Sequence, residues 1–313
     1  MPTVLVTGGA GFIGRHVVRR FLQQDWNVVV FDLEPLTATE ASLNERCTFI
    51  QGNITSRQAI DEAMRTCDAV VHLAALVSVP LSIKAPETTQ SVNVIGTRNV
   101  LECAIENDIG SVIVASSAAV YGACPDLPLN ESAALQCLSP YAESKRSNEN
   151  DIEAFREKGL NAMALRFFNI YGPGQKADSP YASLIPRFVQ AMGAGKAPTV
   201  HGDWKQTRDF VHVTDLARAV VDLIVQPEPY EHAIANVASQ TQTSVLDVVN
   251  SINRFRMDVK GLEPISPRYG ASRQGDIKHS CGSFERLHGM IEWSPEISFQ
   301  DGITSLLAED GMR

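Results

Sequence analysis

Hydrophobic residues in this chain gather into short unbroken runs, and the runs recur at intervals. Val4-Leu5-Val6, Val28-Val29-Val30-Phe31, Thr48-Phe49-Ile50, Ala69-Val70-Val71, Ser111-Val112-Ile113-Val114-Ala115 and Ala162-Met163-Ala164-Leu165-Arg166-Phe167-Phe168 form one such series. Runs of this length with no polar face read as strands buried on both sides, the habit of parallel sheets. Helix-like stretches follow them, as at 15–22 after the first run. Repeated strand–helix alternation predicts an α/β fold built on a doubly wound parallel sheet. From about residue 169 the texture changes. Tyr171-Gly172-Pro173-Gly174 and Ser179-Pro180 break regular structure, 184–194 has helical spacing, and 200–210 reads as a strand, a loop and a second strand start. The apolar pattern over 213–224 predicts a helix that packs back on the first half, and the rest reads as mixed helix and loop.

Chemistry enters at the ends of the runs, where ligands of such sheets sit. The first run leads into Thr7-Gly8-Gly9-Ala10-Gly11-Phe12-Ile13-Gly14. Glycines between a strand and a helix permit a tight turn and close approach of a pyrophosphate to the helix N-terminus. A P-loop would need Lys and Ser/Thr after the last glycine; Arg15-His16 stand there instead. The second run ends in Asp32, placed to bond a ribose 2′-hydroxyl and repel a 2′-phosphate, so the expected dinucleotide is NAD. Tyr141 and Lys145 lie four residues apart in Ser139-Pro140-Tyr141-Ala142-Glu143-Ser144-Lys145, one turn apart on one helix face. An ammonium there favours the phenolate, giving a base for an alcohol proton. Tyr-x-x-x-Lys alone also occurs on solvated helix faces; the glycine turn gives the pair its meaning.

Bulk properties narrow the field. A chain of 313 residues can carry two lobes. Its net charge of −9 argues against a nucleic-acid surface, so an anionic substrate must be gripped by local cations. Six cysteines without metal-ligand spacing read as reduced thiols, and no metal site is expected. The runs are too short to span a membrane, and a cytoplasmic enzyme is expected.

Several motifs in order then carry a resemblance. They are the glycine turn; His72-Leu73-Ala74-Ala75; Asn93; Ser116-Ser117-Ala118-Ala119-Val120-Tyr121-Gly122; Tyr141-Ala142-Glu143-Ser144-Lys145; Arg166 to Gly174; Gln206-Thr207-Arg208-Asp209-Phe210; and Arg273 to Ser280. Nearly end to end, the chain resembles an extended short-chain dehydrogenase/reductase of the NAD-dependent sugar-nucleotide epimerase/dehydratase family, nearest the UDP-glucose and UDP-N-acetylglucosamine 4-epimerases. The resemblance implies a Rossmann-like NAD domain (1–168 plus 208–238) and a smaller discontinuous α/β sugar-nucleotide lobe (169–207 plus 239–313). It implies Ser117, Tyr141 and Lys145 as the catalytic residues. For NAD it points to Gly8, Gly11, Phe12, Ile13, Gly14, Asp32, Asn53, Ile54, Leu73, Ala74, Ala75, Asn93, Ser116, Tyr141, Lys145 and Phe168. For the UDP-sugar it points to Ser78, Ser117, Tyr141, Asn169, Leu184, Thr199, His201, Arg208, Arg273, Asp276 and Ser280. A homodimer through the helices of 93–107 and 141–158 is also implied.

Within that resemblance, an acid just after the catalytic hydroxyl marks dehydratases and decarboxylases. Here Ala118 and Ala119 follow Ser117, and methyl groups transfer no protons, which favours a C4 epimerase. The small Ser280 would leave room for a 2-N-acetyl group, admitting UDP-GlcNAc/UDP-GalNAc beside UDP-Glc/UDP-Gal. Asn53, Val77, His201 and Trp204 depart from the usual residues at their positions. A UDP-glucuronate 4-epimerase, an NAD(P)-dependent 4-ketoreductase and a non-enzymatic binding module remain as alternatives.

Overall fold

The computed structural model describes residues 1–35, 45–175, 177, 183–202, 204–226, 228–271 and 277–309. The apolar runs become β1 (Thr3–Thr7), β2 (Asn27–Asp32), β3 (Cys47–Gln51), β4 (Ala69–His72), β5 (Ser111–Ser117) and β6 (Ala162–Phe167). A seventh strand, Ile234–Val237, joins them, and the order across the sheet is Ile234–Val237, β6, β5, β4, β1, β2, β3. All pairings in this sheet are parallel. The fold is the Rossmann-like α/β sheet expected, with one strand more than the runs announced.

Each strand feeds two cores because successive side chains point to opposite faces. Val4, Val6, Val28, Val30, Ile113 and Leu165 pack on one side with α1 (Phe12–Gln23) and helix Val213–Val225. Leu5, Val29, Phe31, Val70, Val112 and Val114 pack on the other with helices Arg57–Met64, Gly96–Glu106 and Pro140–Glu157. Both faces are apolar, so the strands carry no polar alternation. Helix Val213–Val225 does return to the sheet, as its pattern required.

A third core lies apart from the sheet. Ile185, Phe188 and Met192 of helix Leu184–Gly193 meet Val248, Val249 and Ile252 of helix Val245–Asp258 and Ile303, Leu306 and Leu307 of helix Phe299–Glu309. Between 258 and 299 the chain crosses back: Leu287 and Trp293 are fully buried in the sheet's first core. Trp293 Nε1 donates to Asp215 O at 3.0 Å there. The second half is therefore stitched to the sheet at two places, and a large cleft opens between the sheet and the third core.

Candidate active site

The cleft, about 1110 Å³, runs from the glycine turn past the C-terminal ends of β4 and β5 to helix Leu184–Gly193. That volume exceeds the usual small-ligand site and suits two ligands side by side. Gly8 sits at φ +71°, and a Cβ there would lie 2.7 Å from Ala74 N. A Cβ on Gly14 would collide with the carbonyl oxygen of Gly8. The turn thus demands glycine on steric grounds and leaves a backbone cradle at the N-terminus of α1. Asp32 closes it: one carboxylate oxygen accepts from Ala10 N at 3.0 Å and the other from Glu34 N at 3.3 Å. The residues fit NAD, with a backbone cradle for the pyrophosphate and an anion at the ribose position.

The catalytic constellation forms where helix Pro140–Glu157 crosses the end of β5. Ser139 caps that helix by accepting from Ala142 N at 3.2 Å, and Pro140 stands at its first position. Tyr141 is 8% exposed with the Ser117 hydroxyl beside its phenol, and Ser117 Oγ accepts from Ala119 N at 3.2 Å. Lys145 Nζ donates to Ala115 O at 2.7 Å and lies 6.0 Å from the centre of the Tyr141 ring. Burial lowers the Lys145 ammonium to about 8, against the opposing pull of Glu149. Burial raises the Tyr141 phenol above its ordinary value, and the bond to Ser117 offsets part of that. Burial thus acts on the phenol against the lowering expected from Lys145. His72 beneath is neutral, held down to about 3 by burial and by Lys145. Its ring nitrogens meet Thr7 Oγ1 at 2.6 Å and Thr97 Oγ1 at 2.9 Å.

Most expected site residues share this wall. Gly8, Gly11, Phe12, Ile13, Gly14, Asp32, Asn53, Ile54, Leu73, Ala74, Ala75, Ser116 and Phe168 line it with Ser117, Tyr141 and Lys145. Asn169, Leu184, Thr199, His201 and Arg208 line its other half. His201 is fixed by Nδ1 donating to Ala271 O at 3.0 Å, and Asn169 Nδ2 donates to Asp209 O at 3.0 Å. Asn53 Oδ1 already accepts from Thr55 N at 3.0 Å.

Three expected ligands lie off the wall. Asn93 is fully buried in the π-helical turn Gln90–Ile95. There it accepts from Leu76 N at 2.8 Å and donates to Leu76 O at 3.0 Å, bracing the loop after β4 instead of facing the cleft. Ser78 caps helix Val79–Lys84 by accepting from Leu81 N at 3.2 Å. Ser280 does not line the cleft, and its backbone N–H donates to Thr207 O at 3.2 Å. Ser116 keeps its backbone on the wall, but its hydroxyl turns away to Glu149 Oε1 at 2.6 Å. Arg273 and Asp276 lie outside the described residues. Arg187 and Gln175 line the cleft and were missed. Helical spacing puts Arg187 one turn after Leu184, a signal that was present but unread.

Known proteins agree with this geometry. Residues 4–238 match the NAD dependent epimerase/dehydratase family, and the chain belongs to it. Its cofactor is accordingly NAD. A UDP-glucose 4-epimerase of Halalkalibacterium halodurans is 32% identical over 312 residues, 94% of this chain and 90% of that one. A UDP-N-acetyl-alpha-D-glucosaminuronate decarboxylase of Bacillus cytotoxicus is 29% identical, covering 96% of this chain and 94% of that one. Among solved structures, a UDP-N-acetylglucosamine 4-epimerase of Methanobrevibacter ruminantium in complex with UDP-N-acetylmuramic acid superposes with a TM-score of 0.90 at 33% identity, covering 99% and 98% of the two chains.

Proposed function

We propose that this protein is a UDP-hexose 4-epimerase, inverting C4 through a transient 4-keto sugar. One observation carries the choice within the family. Among the described residues of the cleft wall, Asp32 is the sole carboxylate, and it stands at the end of β2, engaged with Ala10 N of the glycine turn. Among the described residues Lys145 is the other titratable group beside Ser117 and Tyr141, and no carboxylate stands there to serve as the second acid or base that elimination of water would require. NAD, when bound, supplies a reversible hydride acceptor. Tyr141 takes the proton of the 4-hydroxyl with Ser117 holding the oxygen, and Lys145 stabilises the charge on the phenolate. Arg208 and Arg187 provide local cations for the diphosphate of a substrate that the chain's net charge of −9 would otherwise repel.

The first lobe (1–168 plus 208–238) serves NAD in this reading, and the second (169–207 plus 239–313) serves the sugar nucleotide. The substrate pair is UDP-Glc/UDP-Gal, with UDP-GlcNAc/UDP-GalNAc beside it, as the named activity of the Methanobrevibacter ruminantium protein suggests. We read the same chain as a homodimer through helices Gly96–Glu106 and Pro140–Glu157, which scattering mass measurement checks directly. A UDP-glucuronate epimerase is the second reading, and the exposed Val77 on the wall speaks against a carboxylate pocket there. Incubating the protein with UDP-Glc, UDP-GlcNAc and UDP-GlcA without reductant, and resolving products by anomeric NMR, tests the proposal. Interconversion of a neutral hexose pair with no change in nicotinamide absorbance is expected. Conversion of UDP-GlcA alone, or net cofactor reduction, would overturn it.

A further inference from the structure

We propose that Glu149 is a positioning residue for this reaction, setting through Ser116 and Lys145 the two elements that flank Tyr141. The inference rests on the epimerase reading above. Tyr141, Lys145 and Glu149 recur every four residues on helix Pro140–Glu157 and share one face. Glu149 is fully buried. Its Oε1 accepts from Ser116 Oγ at 2.6 Å and from Arg166 Nε at 2.8 Å. Its Oε2 accepts from Arg166 Nη2 at 2.8 Å and from Arg146 Nη1 at 3.2 Å.

The consequence is that three successive residues at the end of β5 each meet one residue of this helix face. Lys145 holds the Ala115 carbonyl, Glu149 holds the Ser116 hydroxyl, and the Tyr141 phenol faces the Ser117 hydroxyl. Alternation along a strand sends Ser116 away from the cleft and Ser117 toward it, so fixing one fixes the other. The network is anchored further off. Arg166 Nη1 donates to the Tyr121 hydroxyl at 2.8 Å, and Tyr121 donates to Asn236 Oδ1 at 2.7 Å on the outermost strand. A buried ion pair is no better for stability than well-packed apolar residues, so its presence under a reactive site points to geometry and charge.

Charge is the second part of the role. The ionisable groups facing this cluster are Arg166 from β6, Tyr121 from the turn after β5, His72 from β4, Glu131 and Cys137 from the segment before the helix, and Arg146 and Tyr141 from the helix itself. His72 is neutral and the arginines are cationic, and Glu149 is the anion that raises the buried Lys145 and keeps it protonated. Without it Lys145 loses its proton at lower pH, and the phenolate loses its counter-charge.

Glu149→Gln keeps the shape and removes the charge. The expected result is kcat lower by about tenfold or more with KM within about twofold, and an alkaline limb of the pH profile displaced to lower pH. Spectrophotometric titration of the Tyr141 phenolate, taken as the difference from Tyr141→Phe, should move upward in the variant. Ser116→Ala should lower kcat by a few fold and leave the alkaline limb in place. A wild-type protein that converts no UDP-sugar sinks the epimerase reading and not this one alone. Active wild type, with Glu149→Gln unchanged in kcat, alkaline limb and phenolate titration, overturns the inference even if its melting temperature falls. If Glu149→Gln does not fold, Ser116→Ala decides: full kcat overturns the proposal.

Discussion

Replacing Lys145 with methionine keeps an apolar stem of similar length and deletes the charge. The ammonium is 3% exposed, and burial lowers it from 10.5 to about 8. Keeping it charged in the folded chain at neutral pH therefore opposes folding by roughly 3 kcal/mol. Between those two values the unfolded chain binds more protons than the folded one, so this group makes stability rise with pH there. The penalty is complete below about pH 8 and gone above about 10.5. Methionine removes it but leaves the Ala115 carbonyl without its donor, at a cost of about 1–3 kcal/mol. At pH 7 the variant should thus equal or exceed the wild type by up to about 2 kcal/mol. Near pH 10 the wild type should draw ahead, a relative swing of about 2–3 kcal/mol. Urea unfolding of both proteins at the two pH values, under equal cofactor loading, measures it; groups common to both cancel in the difference. Turnover by the variant should fall by about two orders of magnitude or more. Parallel stability at both pH values, or a wild-type advantage confined to neutral pH, would refute the reasoning.

Gly14→Ala forces a methyl into the Gly8 carbonyl and should leave a protein that purifies with little bound nicotinamide, read by cofactor release and absorbance. Asp32→Ala removes the anion at the end of β2, and the preference for NAD over NADP should drop by roughly tenfold or more in binding titrations. Ser117→Ala should lower kcat by about tenfold or more at nearly constant KM, because its hydroxyl matters most when the sugar oxygen is losing its proton.

Much of the sheet was legible because strands buried on both faces leave a strong local mark: Val28-Val29-Val30-Phe31 falls inside Asn27–Asp32, and Thr48-Phe49-Ile50 inside Cys47–Gln51. The outermost strand, Ile234–Val237, escaped because it is four residues long and carries Asn236, whose side chain is satisfied only by distant partners, Tyr121, Leu129 and Ser283. The glycine turn was readable from its place between strand and helix. The roles of Asn93 and Ser78 were not, since a side chain's direction depends on the π-helical turn and on the helix cap that the structure assembles. Glu149 shows the same limit from the other side. Its spacing from Tyr141 and Lys145 is plain in the sequence, but its bonds to Ser116 and Arg166 depend on strands tens of residues away.

The most direct test of the account follows the hydrogen at C4. UDP-glucose deuterated at C4, incubated in ordinary water with the purified protein, should give the epimer with its deuterium retained and the bound nicotinamide unchanged at equilibrium. Product carrying solvent hydrogen at C4, or accumulating reduced cofactor, would contradict a mechanism in which the same hydride leaves the sugar and returns.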